Sequence, residues 1–186
     1  MHPDFTLPSP GSIKGRSSSI TAAFVQSIIP VREPTEEEVE QALALLGMSR
    51  GACRCAYCGS ATSEWDHFRP LVVNRRPTGY ITEIANLVPA CGKCNQSKGN
   101  KPWKTWITSN ATKSPKTRNV PDLEKKILRL EAYERWKVPT KLDLEQVSTN
   151  ELWEKHWRNL SRFDELIKEC EQHARELRRD VESQLS

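Results

Sequence analysis

No apolar run in this sequence approaches the roughly 18 residues that a membrane-spanning helix requires. The first residues also lack the basic stretch followed by an apolar core that marks an export signal. These two absences exclude an integral helical membrane protein and make a cytoplasmic location the expectation. Apolar residues are scarce as well: the hydrophobic share is 37% and the mean hydropathy −0.66 over 186 residues. A chain so poor in core material needs helical additions, or a metal, to support its fold. Acidic residues are nearly missing from one long stretch. Between Arg69 and Arg118 stand ten lysines and arginines against Glu83 alone, a local balance of +9 inside a chain whose net charge is only +4. A stretch so one-sided suits a polyanion.

Periodicity and breaker residues divide the chain. Residues 1–17 are rich in Pro, Gly and Ser and read as a flexible arm. Residues 18–49 form an N-terminal helical segment. Ile20, Phe24, Val25, Ile28 and Ile29 recur at helical spacing until Pro30. A second helix starts at a capping box of Thr35 and Glu38, buries Val39, Leu43 and Leu46, and stops at Gly47. Residues 50–107 hold the chemistry-bearing core, with strands expected over 65–73 and 80–88 around a turn at 74–79. Residues 108–121 read as a basic linker, and residues 122–186 as a C-terminal helical region. In that region Leu123, Ile127, Leu130 and Tyr133 mark one amphipathic helix. A second capping box, Ser148 to Glu151, opens a long one. Its stripe runs through Trp153, His156, Leu160, Phe163, Ile167, Cys170, Ala174, Leu177 and Val181 in alternating steps of three and four. The partner of that seam is either the 122–136 helix or the same helix of a second subunit, so a homodimer is one expectation.

Six cysteines without an export signal favour thiolate–metal ligation over disulfides. Four of them form two C-x-x-C pairs, Cys55/Cys58 and Cys91/Cys94, at a separation that suits a closed, structural four-thiolate Zn2+ site. Cys53 is a near-miss or alternative ligand, and Cys170 reads as a small buried hydrophobe. Four thiolates leave no position for a reacting water, so chemistry must come from other residues. Between and just after the pairs stand Asp66, His67, Asn86 and Asn95. An imidazole that titrates near neutrality can take a proton from water. One carboxylate plus one amide offers a hard cation two oxygens.

The pattern CAYCG…WDH…NLVPACGKCNQSKGNK resembles the HNH endonucleases, the ββα-metal or His-Me finger fold, over residues 53–104. The fold class implied is α+β: a zinc-bound ββα-metal core with N-terminal helices and a long C-terminal helix. The resemblance makes His67 the general base at the scissile phosphate. It makes Asp66 and Asn95 the holders of one Mg2+ or Mn2+, and Asn86 the residue that braces the loop and orients His67. The family often has His at the last position; Asn95 there favours an oxygen-loving metal. Products with 5′-phosphate and 3′-hydroxyl ends follow from the same resemblance.

Arg69, Arg75, Arg76, Lys98 and Lys101 are the expected phosphate contacts, and the arginines can also reach guanine edges. Trp103 and Trp106 are spaced for packing. His2, His156 and His173 lie outside the motif and read as non-catalytic. The substrate expected is double-stranded DNA, with no membrane partner, and the leading function is a sequence-specific type II restriction enzyme. The alternatives are an antiphage or mobile-element nuclease of relaxed specificity and a zinc nucleic-acid-binding module without chemistry.

Overall fold

The computed structural model describes residues 8–144, 146, 149 and 151–185. Its helices and strands in chain order are α1 (Ser17–Gln26), α2 (Glu36–Leu45), β1 (Glu64–His67), β2 (Val72–Val73), β3 (Arg76–Pro77), β4 (Leu87–Ala90), α3 (Gly92–Lys98), α4 (Trp103–Ile107), α5 (Leu123–Trp136) and α6 (Glu151–Glu182). The architecture is α+β: small two-stranded sheets, N-terminal helices and a long C-terminal helix. No helix among the described residues is long and apolar enough to cross a membrane. The chain divides into two compact units, Met1–Phe24 with Glu145–Ser186, and Val25–Leu144.

In the second unit, α2 begins where the sequence places it. The Thr35 side chain accepts from the Glu38 amide while the Glu38 carboxylate accepts from the Thr35 amide. Gly47, at φ +68°, ends the helix in a left-handed turn, with the Met48 amide reaching back to the Leu43 carbonyl. The expected long strands are cut short. β1 stops at His67, beyond which the Arg69 amide goes to the Asn86 side chain, and a 3-10 turn over Ile84–Asn86 occupies part of the second run. β1 and β4 pair antiparallel, with Glu64 opposite Ala90, Trp65 opposite Pro89, Asp66 opposite Val88 and His67 opposite Leu87. β2 and β3 form a tight hairpin whose two turn residues, Asn74 and Arg75, both have positive φ (49° and 64°).

The core of this unit is aromatic. Phe68 stacks on Trp103 at 5.2 Å and meets Tyr133 edge-on, while Tyr57 meets Trp106 edge-on at 5.1 Å. Leu130 and Tyr133 of α5 are buried in it, and the Tyr133 hydroxyl donates to the Leu87 carbonyl at 2.7 Å. Helix α5 therefore belongs with the hairpin rather than with the rest of the expected 122–186 region. The expected basic linker, 108–121, is built into the same unit. Ser114 is fully buried and donates to the Ser109 carbonyl at 2.7 Å, and Arg118 reaches Cys94. Hydrogen bonds replace apolar side chains in fixing that segment, which is why composition alone reads it as a linker.

In the other unit, the stripe of α6 meets the N-terminal segment. Phe24 packs against His156 and Phe163, and the Glu171 carboxylate accepts the Ile13 and Lys14 amides at 2.7 and 3.0 Å. The partner within this unit is thus residues 12–24, neither of the two the stripe alone suggests. Part of the expected arm is thereby ordered. Residues 1–7, including His2, and Ser148 of the second expected capping box lie outside the described residues.

Gly79 has φ +92°, and a Cβ there would sit 2.5 Å from the Leu142 carbonyl oxygen. Gly79→Ala is expected to destabilise the Val25–Leu144 unit by about 1–3 kcal/mol, read as a lowered denaturation midpoint. An unchanged midpoint would remove this close approach.

Candidate active site

Two short pieces of backbone carry the site. The first thiol pair lies in the turn before β1, where Gly59, at φ +77°, donates its amide to the Cys55 carbonyl at 2.7 Å. The second pair opens α3: Cys91 is its N-cap residue and Cys94 lies one turn in. The four Sγ atoms all lie within 4.8 Å of one another, and Cys58 and Cys91 are 3.7 Å apart. Sulfurs on a tetrahedron with ~2.3 Å metal bonds stand about 3.8 Å apart, so the donor set and spacing fit a closed metal site. All six cysteines are free thiols, and Cys53 and Cys170 stand outside the cluster. The guanidinium of Arg118 donates to Cys94 Sγ at 2.9 Å, placing a positive charge against the thiolate cluster.

β1 then sorts the motif by its alternation. Glu64 and Asp66 share one face, and Trp65 and His67 the other. Asp66 is buried. Its carboxylate accepts from the Tyr57 hydroxyl at 2.5 Å and faces the Lys98 ammonium at 3.0 Å. Lys98 is wholly buried, and its Nζ also donates to the His67 and Gly99 carbonyls at 2.8 and 3.3 Å. Lys98, expected at a phosphate, is thus an internal cation that fastens the end of α3 to β1. Burial pushes the Asp66 carboxyl above its ordinary range and the Lys98 ammonium below its own, while the charge of each opposes the shift of the other.

His67 is half-buried, with Nε2 2.9 Å from the Thr82 hydroxyl. Asn86 is fully buried. Its Oδ1 accepts the Arg69 amide at 2.7 Å, and its Nδ2 donates to the Arg69 and Ile81 carbonyls at 3.1 and 3.3 Å. Asn86 thus braces the loop that follows His67, while Thr82 holds the ring itself. Asn95, on α3, donates from Nδ2 to the Glu64 carboxylate. Asp66, His67 and Asn95 make no hydrogen bonds to one another among the described residues. Lys98 ties the Asp66 carboxylate to the His67 carbonyl and the β1–α3 packing brings Asn95 to Glu64, while the His67 ring lies on the other face of the strand against Thr82.

The oxygen donors on this face, Asp66 and the Asn95 amide, are of the hard kind that Mg2+ or Mn2+ prefers. Both Asp66 oxygens are engaged by the Tyr57 hydroxyl and the Lys98 ammonium, so a cation held there would share the carboxylate with an internal charge.

Around the site, Arg75 and Arg76 are exposed on the hairpin, and Lys101 is exposed with its Nζ on the Ser97 carbonyl. Arg69 lies over the Phe68 ring and 3.5 Å from Glu134. Glu83, the lone acid of the basic stretch, is buried against Arg32 at 2.6 Å. Four residues near the motif were not singled out from sequence. Glu64 was legible from the two-residue period of a strand carrying Asp66. Tyr57, Thr82 and Arg118 are brought in by tertiary packing, which no local pattern signals.

Burial, with the Lys98 charge nearby, depresses the His67 imidazole to about 4, so the neutral, proton-accepting form persists through mildly acidic pH. Between pH ~6.5 and 4 the unfolded chain takes up a proton here that the folded one refuses, so stability falls as pH drops through that window. In a histidine-selective NMR titration of the full chain, the His67 ring is expected to keep neutral shifts at pH 5.5. Half-protonation near 6.5 would refute the burial effect.

Residues 55–101 match the family model described as HNH endonuclease. Over 68 residues, 34% of this chain and 6% of the relative, the sequence is 44% identical to the CRISPR-associated endonuclease Cas9 of Corynebacterium diphtheriae. Over 58 residues, 29% of this chain and 5% of the relative, it is 36% identical to the Cas9 of Actinomyces naeslundii. The chain thus spans 6% and 5% of the length of these two curated relatives. No solved structure matches it significantly. The family match begins at the first thiol of the cluster and ends just past the α3 helix, taking in Asp66, His67, Asn86 and Asn95, so residues 55–101 are an HNH endonuclease domain.

Proposed function

We propose that this protein is a metal-dependent DNA endonuclease, most specifically a type II restriction enzyme that leaves 5′-phosphate and 3′-hydroxyl ends. The observation that carries the reading is the thiol cluster at one end of β1 and α3, which holds the Asp66-His67 strand against the helix bearing Asn95. In this reading a structural Zn2+ lies among Cys55, Cys58, Cys91 and Cys94. Asp66 and Asn95 hold Mg2+ or Mn2+, which supplies charge neutralisation at the phosphate. His67, kept neutral by burial and steadied by Thr82, takes the proton of the attacking water. Asn86 keeps the loop after His67 in place. Arg75, Arg76 and Lys101 bind phosphate oxygens, with Arg69 nearer the core, whereas Lys98 acts from inside.

His67→Ala is expected to lower plasmid cleavage in Mg2+ or Mn2+ by at least about a hundredfold, leaving thermal melting and DNA binding close to wild type. Full cleavage by that variant would remove the assignment of the base. Discrete fragments with a common end sequence distinguish a restriction enzyme from a nuclease of relaxed specificity. DNA binding with no metal-dependent turnover would leave a zinc-dependent binding module.

Elemental analysis is expected to find zinc equimolar with the chain, and Cys94→Ser, at a fully buried ligand, to lose both the ion and cooperative melting. Unchanged melting without zinc would sink the structural role. A homodimer through α6 belongs to the same proposal, supported by Leu177 and Val181, which are 64% and 62% exposed on its stripe. Sedimentation of the full chain as a monomer at micromolar concentration would discard it.

A further inference from the structure

Glu64 stands two residues before Asp66, on the same face of β1, and has no assigned part in the site. Its carboxylate accepts a hydrogen bond from Asn95 Nδ2 on α3. An ionised carboxylate offers acceptors only, so the amide must present its NH2 group to it. That fixes which way the Asn95 amide is turned. Its Oδ1, the one Asn95 side-chain atom able to ligate a hard cation, faces away from Glu64, and among the described residues no hydrogen-bond donor reaches it. Without Glu64 the amide is free to rotate about its last side-chain bond and offer NH2 to the cation, which repels it.

The backbone supports the same contact. Glu64 is opposite Ala90 in the β1–β4 register, so its side chain reaches the start of α3. There the residue is Gly92, where a Cβ would come 2.9 Å from Glu64 Oε1. The absent side chain leaves the carboxylate room beside Asn95. The Gly92 amide also donates to Ser63 Oγ at 3.2 Å, holding the helix start against the residue before Glu64.

We infer that Glu64 is a positioning residue for the catalytic cation: it orders the Asn95 amide so that Oδ1 is presented for ligation, without itself being a ligand. This inference rests on the metal-nuclease reading above, in which Asp66 and Asn95 hold the ion.

The test is Mn2+ titration of the zinc-loaded full-length chain, with free Mn2+ read by electron paramagnetic resonance and no DNA present. Asn95→Ala and Glu64→Ala are each expected to weaken Mn2+ binding roughly 10–100-fold. The double variant should bind no more weakly than Asn95→Ala alone, because Glu64 acts through Asn95. Glu64→Gln keeps an acceptor and should retain most of the affinity. Gly92→Ala, which removes no polar group and only displaces the carboxylate, should weaken binding by a smaller factor. Wild-type Mn2+ affinity in Glu64→Ala would overturn the inference. So would additive losses in the double variant, which would make Glu64 a ligand in its own right. Should Asp66→Ala and Asn95→Ala both bind Mn2+ like wild type, the metal-nuclease reading falls and takes this inference with it. Should they weaken binding while Glu64→Ala does not, the role of Glu64 alone is lost.

Discussion

Four sulfur atoms within 4.8 Å of one another join two short pieces of chain at the edge of the aromatic core. The hairpin they close is short: β1 and β4 have four residues each, and α3 has seven. Elements of that size are marginal by themselves. The thiols join the turn before β1 to the first turn of α3, fixing strand and helix at the end where their chemical residues begin. Everything downstream is set relative to that fastening. The Asp66–Lys98 pair closes the far end of α3 on the strand, and the aromatic cluster of Phe68, Trp103 and Tyr133 backs it with α4 and α5.

The parts of this arrangement that were legible in the sequence are those coded locally. Two C-x-x-C pairs, the Thr35–Glu38 cap and the Gly47 stop each depend on neighbours within a few positions, and the structure places all of them as read. Lys98 was not legible as an internal residue. A lysine at the end of a short polar helix in a basic stretch reads as a surface charge; its burial is compensated by the carboxylate delivered by β1, 32 positions earlier, together with the His67 and Gly99 carbonyls. Residues 108–121 misled for a related reason: Ser114 and Arg118 are fixed by hydrogen bonds, and those leave no hydrophobic period. The seam of α6 was visible as a stripe, but a stripe says that a helix is covered and not by what.

The chemistry of the site is organised by the two faces of one four-residue strand. The face with Glu64 and Asp66 carries two carboxylates, the Asn95 amide and a buried ammonium. The face with Trp65 and His67 carries the imidazole and its Thr82 support. The imidazole makes no bond to the Asp66 carboxylate, and burial together with the Lys98 charge keeps its proton affinity low. The acid within the basic stretch, Glu83, is enclosed with Arg32. The 69–118 stretch therefore presents no exposed acid of its own at the surface.

The arrangement of the two units along the sequence bears on the order in which the chain acquires its structure. The unit made from Met1–Phe24 and Glu145–Ser186 brackets the other in sequence, and its contacts join residues as far apart as Gly11 and Arg178, 167 positions. Closing so wide an interval carries an entropic cost that local contacts do not offset. On the ribosome, the early-emerging helix must wait for the last one to be synthesised, while the intervening zinc-knuckle body has all its own parts to hand. The inner body is thus free to mature before the outer pair can meet.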